Sequence, residues 1–459
     1  MQTDRNKCLI IGAGLTGLST AHHLTKLSIP FHILEKQAHP GGVIQTVQEN
    51  GFLYETGPNT GVIGSSEIAE LFEDLYPLCE LETANEKASK RYILKKGRWE
   101  PLPAGILAGI RTPLFSPTDK LRLLGEPFRA PGKDPDETLA DLVKRRMGKS
   151  FLDYAIDPFI IGVYAGDPNL LITRHALPKL YNLEQQYGSF IKGAIRKGFQ
   201  KKSPQEQKIT RKVFSARGGL SNLVDALYKT AGQEHFTFNV QDLEIQPHDK
   251  GFKARWQNQG QWHETMASHV IFTGGAHNLA EVFPFIDPHS LEQVQQLQYA
   301  KVVEVSLGFD PWQGIPLDGF GGLIPSKEER DILGVLYMST LFEGRAPENG
   351  ALLTVFMGGI RNPAVANMSD AQIRQTVERE ISDLMQLPGF DPAVFKITRY
   401  NYAIPQYDIH SGTRFAAIER LEKQFPGLIL GGNMRDGIGM ADRVKQGKML
   451  ANQILTHTL

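Results

Sequence analysis

Two glycine-rich turns, one near each end of the 459-residue chain, constrain the fold more than any other feature. Cys8-Leu9-Ile10-Ile11 is a short apolar strand running into Gly12-Ala13-Gly14-Leu15-Thr16-Gly17, and Glu35 closes a second apolar run from Phe31 to Leu34. In a G-x-G-x-x-G turn the first glycine allows the tight bend, the second lets backbone approach a pyrophosphate, and the third lets the helix pack on the sheet. The helix predicted from about Leu15 to Leu27 aims its free N–H groups and positive end at the phosphates. Glu35 stands where a carboxylate accepts hydrogen bonds from ribose hydroxyls, which favours an adenosine without a 2′-phosphate. At the far end, Gly427-Leu428-Ile429-Leu430 forms another apolar strand, followed by Gly431-Gly432-Asn433 and a helix-like segment from about Gly437 to Leu455. Both ends serve one dinucleotide.

FAD rather than NAD follows from further turns. Gly41-Gly42 comes soon after the acid, and Glu55-Thr56-Gly57-Pro58-Asn59-Thr60 adds a second Gly-Pro turn, as fits backbone passing close to a flat ring. With the C-terminal strand-glycine-helix unit, these turns describe a large FAD oxidoreductase. Its 50 basic residues balance 50 acidic ones, which argues against nucleic acid as a partner. Cys8 and Cys79 are the only cysteines, so no disulfide framework is implied and a reducing cytoplasm fits. No signal peptide and no bilayer-spanning apolar run is visible.

The expected fold class is α/β (α+β), in several lobes. A discontinuous Rossmann-like domain takes residues 1–84, 213–288 and 408–459, with strands at Phe236–Val240 and His269–Thr273. Alternating patterns at Lys301–Leu307 and Ala351–Phe356 predict an antiparallel sheet between the second and third pieces, within residues 289–407. Residues 85–110 join that second, mixed-sheet domain, and residues 111–212 read as a mostly helical domain.

Several stretches resemble the porphyrinogen oxidase family, the oxygen-dependent, FAD-containing enzymes late in haem synthesis. The match is carried by Asp157-Pro158-Phe159-Ile160-Ile161-Gly162-Val163-Tyr164-Ala165-Gly166-Asp167-Pro168, and by Lys90-Arg91-Tyr92-Ile93. Gly322–Glu328, Leu333–Tyr337, Thr354–Gly359 and Gly432–Met440 continue it in one order along nearly the whole chain. The resemblance implies an FAD domain, a substrate domain and a helical domain that rests on lipid in membrane-bound relatives. It implies six-electron oxidation of protoporphyrinogen IX to protoporphyrin IX with O2 as acceptor and release of hydrogen peroxide. Coproporphyrinogen III is the alternative substrate, and hand-over of the product to ferrochelatase is implied too. An FAD amine oxidase is the more distant alternative, but its C-terminal Gly-Glu-x-(Thr/His) element is missing here, where Gly432-Asn433-Met434-Arg435-Asp436 stands.

By the same resemblance, Arg91 would hold a substrate propionate, as suits a guanidinium. Leu323, Leu336 and Phe356 would sandwich the macrocycle, and the Gly162 carbonyl would face the ring nitrogens. The flavin would lie against Gly12, Ala13, Gly14, Leu15, Thr16 and Gly17, then Glu35, Lys36, Gly42, Val43, Gly57, Pro58, Asn59 and Thr60. Val240 would meet the adenine, and Ile438, Gly439 and Met440 the isoalloxazine. No catalytic side chain and no metal is assigned, because the flavin carries the chemistry. The thirteen histidines are scattered, and His22-His23 read as surface or packing residues. Between Lys192 and Lys212, eight basic residues face one acid, Glu206, with Ile191, Ile195 and Phe199 at helical spacing. That stretch suggests peripheral contact with anionic lipid on the cytoplasmic membrane face.

Overall fold

The computed structural model describes residues 8–199 and 203–458, so Lys201 and Lys202 of the basic stretch lie outside the described residues. In chain order, the strands of the two main sheets are β1 (Cys8–Ile11), β2 (Phe31–Leu34), β3 (Lys90–Lys95), β4 (Arg98–Pro101), β5 (Phe236–Thr237) and β6 (His269–Phe272). They continue as β7 (Tyr299–Phe309), β8 (Gly319–Leu323), β9 (Gly334–Tyr337), β10 (Ala351–Gly358), β11 (Val394–Pro405) and β12 (Leu428–Leu430). Four helices bear on the site: α1 (Leu15–Lys26), α2 (Asp157–Tyr164), α3 (Phe190–Phe199) and α4 (Met440–Thr458).

The first sheet is parallel, in the order β5-β2-β1-β6-β12. Its strands are mostly apolar because both faces are covered. Cys8, Ile10, Ile33, Ile271 and Ile429 point into a core shared with Leu24 of α1 and Leu450 and Ile454 of α4. Leu9, Ile11, Leu34, Val270 and Leu428 point the other way, against Ile245, Phe252 and Trp256. Those three belong to an antiparallel meander (Gln241–His248, Gly251–Asn258 and Gln261–Ala267) that the apolar pattern alone does not announce. The strand expected over Phe236–Val240 stops at Thr237. Asn239 turns left-handed (φ 59°), and the Val240 N–H then donates to the Glu35 carbonyl at 3.0 Å.

Helices α1 and α4 cross at small residues. A side chain at Gly447 would reach Ser19 at 2.6 Å, and the Ser19 hydroxyl donates to the Val444 carbonyl at 3.1 Å. His22 is buried beside this crossing and meets Asp74 at 3.3 Å, so it is a packing residue.

The second sheet has the order β11-β7-β10-β9-β8-β3-β4. It is antiparallel except for β3 against β8, so it is a mixed sheet, as expected, with the antiparallel part over β11, β7, β10, β9 and β8. The parallel pair arises because the β3–β4 hairpin joins from far upstream. One face carries Val303, Val305, Leu307, Val335, Leu353, Val355 and Met357, packed on Ile373, Val377 and Ile381 of the helix Asp370–Met385. The opposite face is partly open: Leu323, Leu336 and Phe356 are half-buried there, beside buried Glu304, Ser306 and Thr354.

The helical part packs around Leu114, Phe115, Leu142, Phe151, Ile160 and Leu171, and a buried ion cluster adjoins its helices. Arg146 meets Glu126 at 2.7 Å and Glu184 at 3.1 Å, with both acids and the arginine nearly inaccessible. Glu126 also accepts the Ser189 hydroxyl and the backbone N–H groups of Phe190 and Ile191, satisfying the start of α3.

Candidate active site

The dinucleotide end is built from glycines whose spaces differ. A Cβ on Gly17 would stand 2.0 Å from the Gly12 carbonyl oxygen, so helix and turn touch there. A Cβ on Gly14 would meet nothing within 4 Å, although Gly42 passes so near that its own Cβ would lie 3.4 Å from the Gly14 Cα. Open space therefore lies at the first turn of α1, beside a second glycine turn. Glu35 is buried, and each of its oxygens takes one backbone N–H, from Ala13 at 2.6 Å and from Gln37 at 2.8 Å. A carboxylate so held retains lone pairs for hydroxyl donors. Leu15 and Thr16 are buried, whereas Lys36 and Val43 are exposed. The Gly57 position (φ 140°) admits no side chain, since a Cβ would sit 2.1 Å from the Val43 carbonyl. Pro58 and Thr60 are half-buried and Asn59 is buried.

The C-terminal turn is organised by one arginine. Arg443 donates to the carbonyls of Gly432, Arg435, Asp436 and Gly437, which wraps the chain around it before α4 begins. Ile438 is half-buried and Gly439 exposed, but the Met440 side chain packs among Gly61, Phe214 and the adjoining core. What Met440 offers a ring at this turn is therefore backbone. Tyr407 pins the turn from the other side: its hydroxyl donates to the Gly437 carbonyl at 3.1 Å and accepts the Gly437 N–H at 3.0 Å. Tyr407→Phe leaves the Gly437 N–H without its partner, while Arg443 still serves the carbonyl, and should cost about 1–3 kcal/mol of stability, read as a lowered Tm.

Strand register gathers the expected substrate residues on the open face of the second sheet. Ile93, Leu323, Gly334, Phe356 and Glu304 form one row across β3, β8, β9, β10 and β7. Arg91, Gly321, Leu336, Thr354 and Ser306 form the row beside it. Side chains directly opposite each other across strands share a face. Leu323, Leu336 and Phe356 are half-buried here, opposite the filled core face. Gly162 is exposed, and a Cβ on it would press on Leu323 at 2.7 Å, so α2 closes over this row. Phe159 and Val163, about 40% exposed, share that helix face and were legible only as part of the Asp157–Pro168 motif.

The two aspartates of that motif hold the helix in register. Arg361 donates to Asp157 at 2.7 Å and to Asp167 at 2.8 Å, bridging both ends of α2 to the chain leaving β10. Arg91 is exposed, lies over the Phe320 ring at 5.4 Å, and has no ion-pair partner among the described residues. Its neighbour Lys90 is tied to Asp318 at 2.5 Å.

Where the Gly57–Thr60 turn meets the sheet stands a group the motifs do not include. Glu304 accepts the Asn59 amide at 2.7 Å and the Gly57 N–H at 3.1 Å, and the Thr354 hydroxyl donates to the Asn59 oxygen at 2.9 Å. Burial pushes the Glu304 carboxyl up to about 8, which Asn59 and Gly57 offset only in part and the Glu55 charge reinforces. A glutamate in the middle of the apolar run Lys301–Leu307 is the sequence signal for it.

These features fit an FAD: an open cradle at Gly14, a buried carboxylate at Glu35, and two helix starts brought side by side. The chain belongs to the flavin containing amine oxidoreductase family, whose pattern matches residues 15–455. It is a flavin oxidoreductase with FAD as cofactor. It is 29% identical to protoporphyrinogen oxidase 2 of Arabidopsis thaliana, over 98% of this chain and 93% of that one. It is 25% identical to coproporphyrinogen III oxidase of Bacillus subtilis (strain 168), over 100% and 99% of the two chains. A solved structure from Exiguobacterium sp. 255-15, provisionally assigned as a protoporphyrinogen oxidase, superimposes with a TM-score of 0.82. It is 22% identical and covers 99% of this chain and 100% of that one, and it shows the same fold.

Proposed function

We propose that the protein oxidises protoporphyrinogen IX to protoporphyrin IX with O2 as acceptor. The observation that carries this reading is the open sheet face, where half-buried Leu323, Leu336 and Phe356 share a surface with the exposed, un-ion-paired Arg91. A flat, weakly polar macrocycle needs apolar walls, and its carboxylate arms need a guanidinium. Bound FAD supplies two-electron oxidation, used three times per substrate with hydrogen peroxide as by-product. The protein orients the ring and excludes water. Gly12–Gly17, Glu35, Lys36, Gly42, Val43, Gly57–Thr60, Val240 and Ile438–Met440 hold the cofactor in this reading. Residues 1–84, 213–288 and 408–459 are its FAD domain, residues 85–110 and 289–407 its substrate domain, and residues 111–212 its helical domain.

Lys90 is occupied by Asp318, which leaves Arg91 as the un-ion-paired cation of that pair and favours the substrate with fewer propionates. The test is to incubate the purified yellow protein in air with protoporphyrinogen IX and, separately, coproporphyrinogen III. Faster growth of porphyrin fluorescence from the second would transfer the assignment to coproporphyrin III. Arg91→Ala should raise KM by the equivalent of roughly 1.5–3 kcal/mol with a smaller change in kcat. An unchanged KM for both substrates would make Arg91 only a surface cation.

The same reading gives the protein a cytoplasmic setting with peripheral contact to anionic lipid and delivery of product to ferrochelatase. No helix among the described residues is long and apolar enough to cross a membrane. Leu107, Ile110, Leu121, Leu124, Phe128, Ile195 and Phe199 are nevertheless exposed, Phe128 and Phe199 to more than 85%. Lys192 of α3 lies over the Phe128 ring at 5.9 Å, so apolar and basic groups adjoin. Co-sedimentation with phosphatidylserine vesicles, lost at high salt, is the expected result.

A further inference from the structure

Among the described residues, the polar network joining the flavin turn to the substrate face consists of few atoms. Asn59 spends its amide on Glu304 at 2.7 Å and on the Gly57 carbonyl at 3.1 Å, and its oxygen takes the Thr354 hydroxyl. Glu304 and Thr354 come from adjacent strands of the second sheet, two rows of one face. Asn59 comes from the turn beside the dinucleotide cradle. We infer that Glu304 is a positioning residue that fixes Asn59, and through it the Gly57–Thr60 turn, against the substrate face. This rests on the reading of that turn as flavin-binding.

Satisfied valences set the orientation of the Asn59 amide. An asparagine amide can face either way, and only an acceptor on one side with a donor on the other selects one orientation. Glu304 is the acceptor and Thr354 the donor. Without the carboxyl, the Gly57 N–H and one Asn59 hydrogen lose their buried partner, and the turn is free to shift. The groups that bear on Glu304 are few. Glu55 adds negative charge but is paired with Arg345 at 2.9 Å, and the Tyr400 hydroxyl is held in its neutral form by burial and by Glu304 itself. Glu304 thus keeps its proton through neutral pH, and its ionisation sets a negative charge beside the turn, where added negative charge on a reduced cofactor is then disfavoured.

The test compares Glu304→Leu, Glu304→Gln and Thr354→Val as purified proteins, reading FAD dissociation before any turnover. Glu304→Leu should weaken FAD binding about tenfold and Thr354→Val a few-fold in the same direction. Combining Asn59→Ala with Glu304→Leu should cost clearly less than the product of the two single losses, since both act through one amide and only the Gly57 N–H loses a further partner. Glu304→Gln, which keeps an acceptor facing Asn59 at the expense of the Gly57 N–H and cannot ionise, should abolish any break near pH 8 in the midpoint potential of the bound flavin. The wild type should show that break.

The stability sign follows from linkage. A carboxyl raised from 4.5 to about 8 is more protonated when folded, so its contribution is full below pH 4.5 and lost as pH rises through 8. The Tm of the wild type relative to Glu304→Gln should fall over that window and level off above it. Wild-type FAD affinity in both Glu304→Leu and Thr354→Val, or losses that multiply in the double variant, would overturn the assignment. If Glu304→Leu does not fold, Thr354→Val and the potential of Glu304→Gln decide. If no porphyrinogen is oxidised, the proposed substrate fails while these flavin measurements still stand.

Discussion

Valine at position 14 is expected to give a folded, colourless protein. The side chain has room in the protein alone, because nothing lies within 4 Å of the Cβ it introduces. It would fill the cradle at the start of α1, where pyrophosphate oxygens would approach the backbone in the proposed cofactor site. Far-ultraviolet circular dichroism and Tm of the apoprotein should therefore match the wild type, while the flavin absorbance of the purified protein disappears. Gly17→Val makes the contrast. Its Cβ would stand 2.0 Å from the Gly12 carbonyl oxygen, so that variant should fail to fold rather than fail to bind. A yellow Gly14→Val protein with normal flavin content would refute the cradle.

Phe356→Ala should lower turnover by about a hundredfold with FAD still bound, because misplacing a reacting carbon by about 1 Å costs on the order of that factor. The ring is half-buried on the open face, at the edge of a small cluster formed by Ala165, Ala300 and Val302. Removing it deletes less packing than a core phenylalanine, for which roughly 3–5 kcal/mol is usual. Measuring Tm and kcat on one preparation separates the two roles. A large melting shift with normal turnover would mean that Phe356 is core and that the macrocycle lies elsewhere.

The glycine turns were readable in the sequence because their constraints are local. Gly12, Gly17 and Gly57 are glycines for reasons that lie within a few ångströms of backbone, and such reasons leave a fixed spacing. Resemblance carried the substrate end further than residue pattern could. Nothing in the composition of β8, β9 and β10 says which alternate residues face a core and which face open space. That depends on the helix Asp370–Met385 covering one side. Glu304 was hidden for the same reason. An acid inside an apolar strand is visible, but only the arrival of the Gly57–Thr60 turn decides that it is sealed in and hydrogen-bonded there. Arg361 and Arg443 were equally silent, since their partners are carbonyls and carboxylates set by the fold rather than by neighbouring residues.

The first sheet also governs how the molecule is made. β1 takes its neighbours from residues 31–34 and 269–272, and the sheet is finished only by Leu428–Leu430 and α4 behind it. At about 5–20 residues per second, a ribosome needs tens of seconds between the first strand and the last. Through that interval the cradle at Gly14 exists without the helix that lies beside it, and apolar strand edges stay open. The nascent chain therefore cannot be expected to capture its vitamin-derived cofactor early, and its need for chaperones should end only once the final fifty or so residues have emerged.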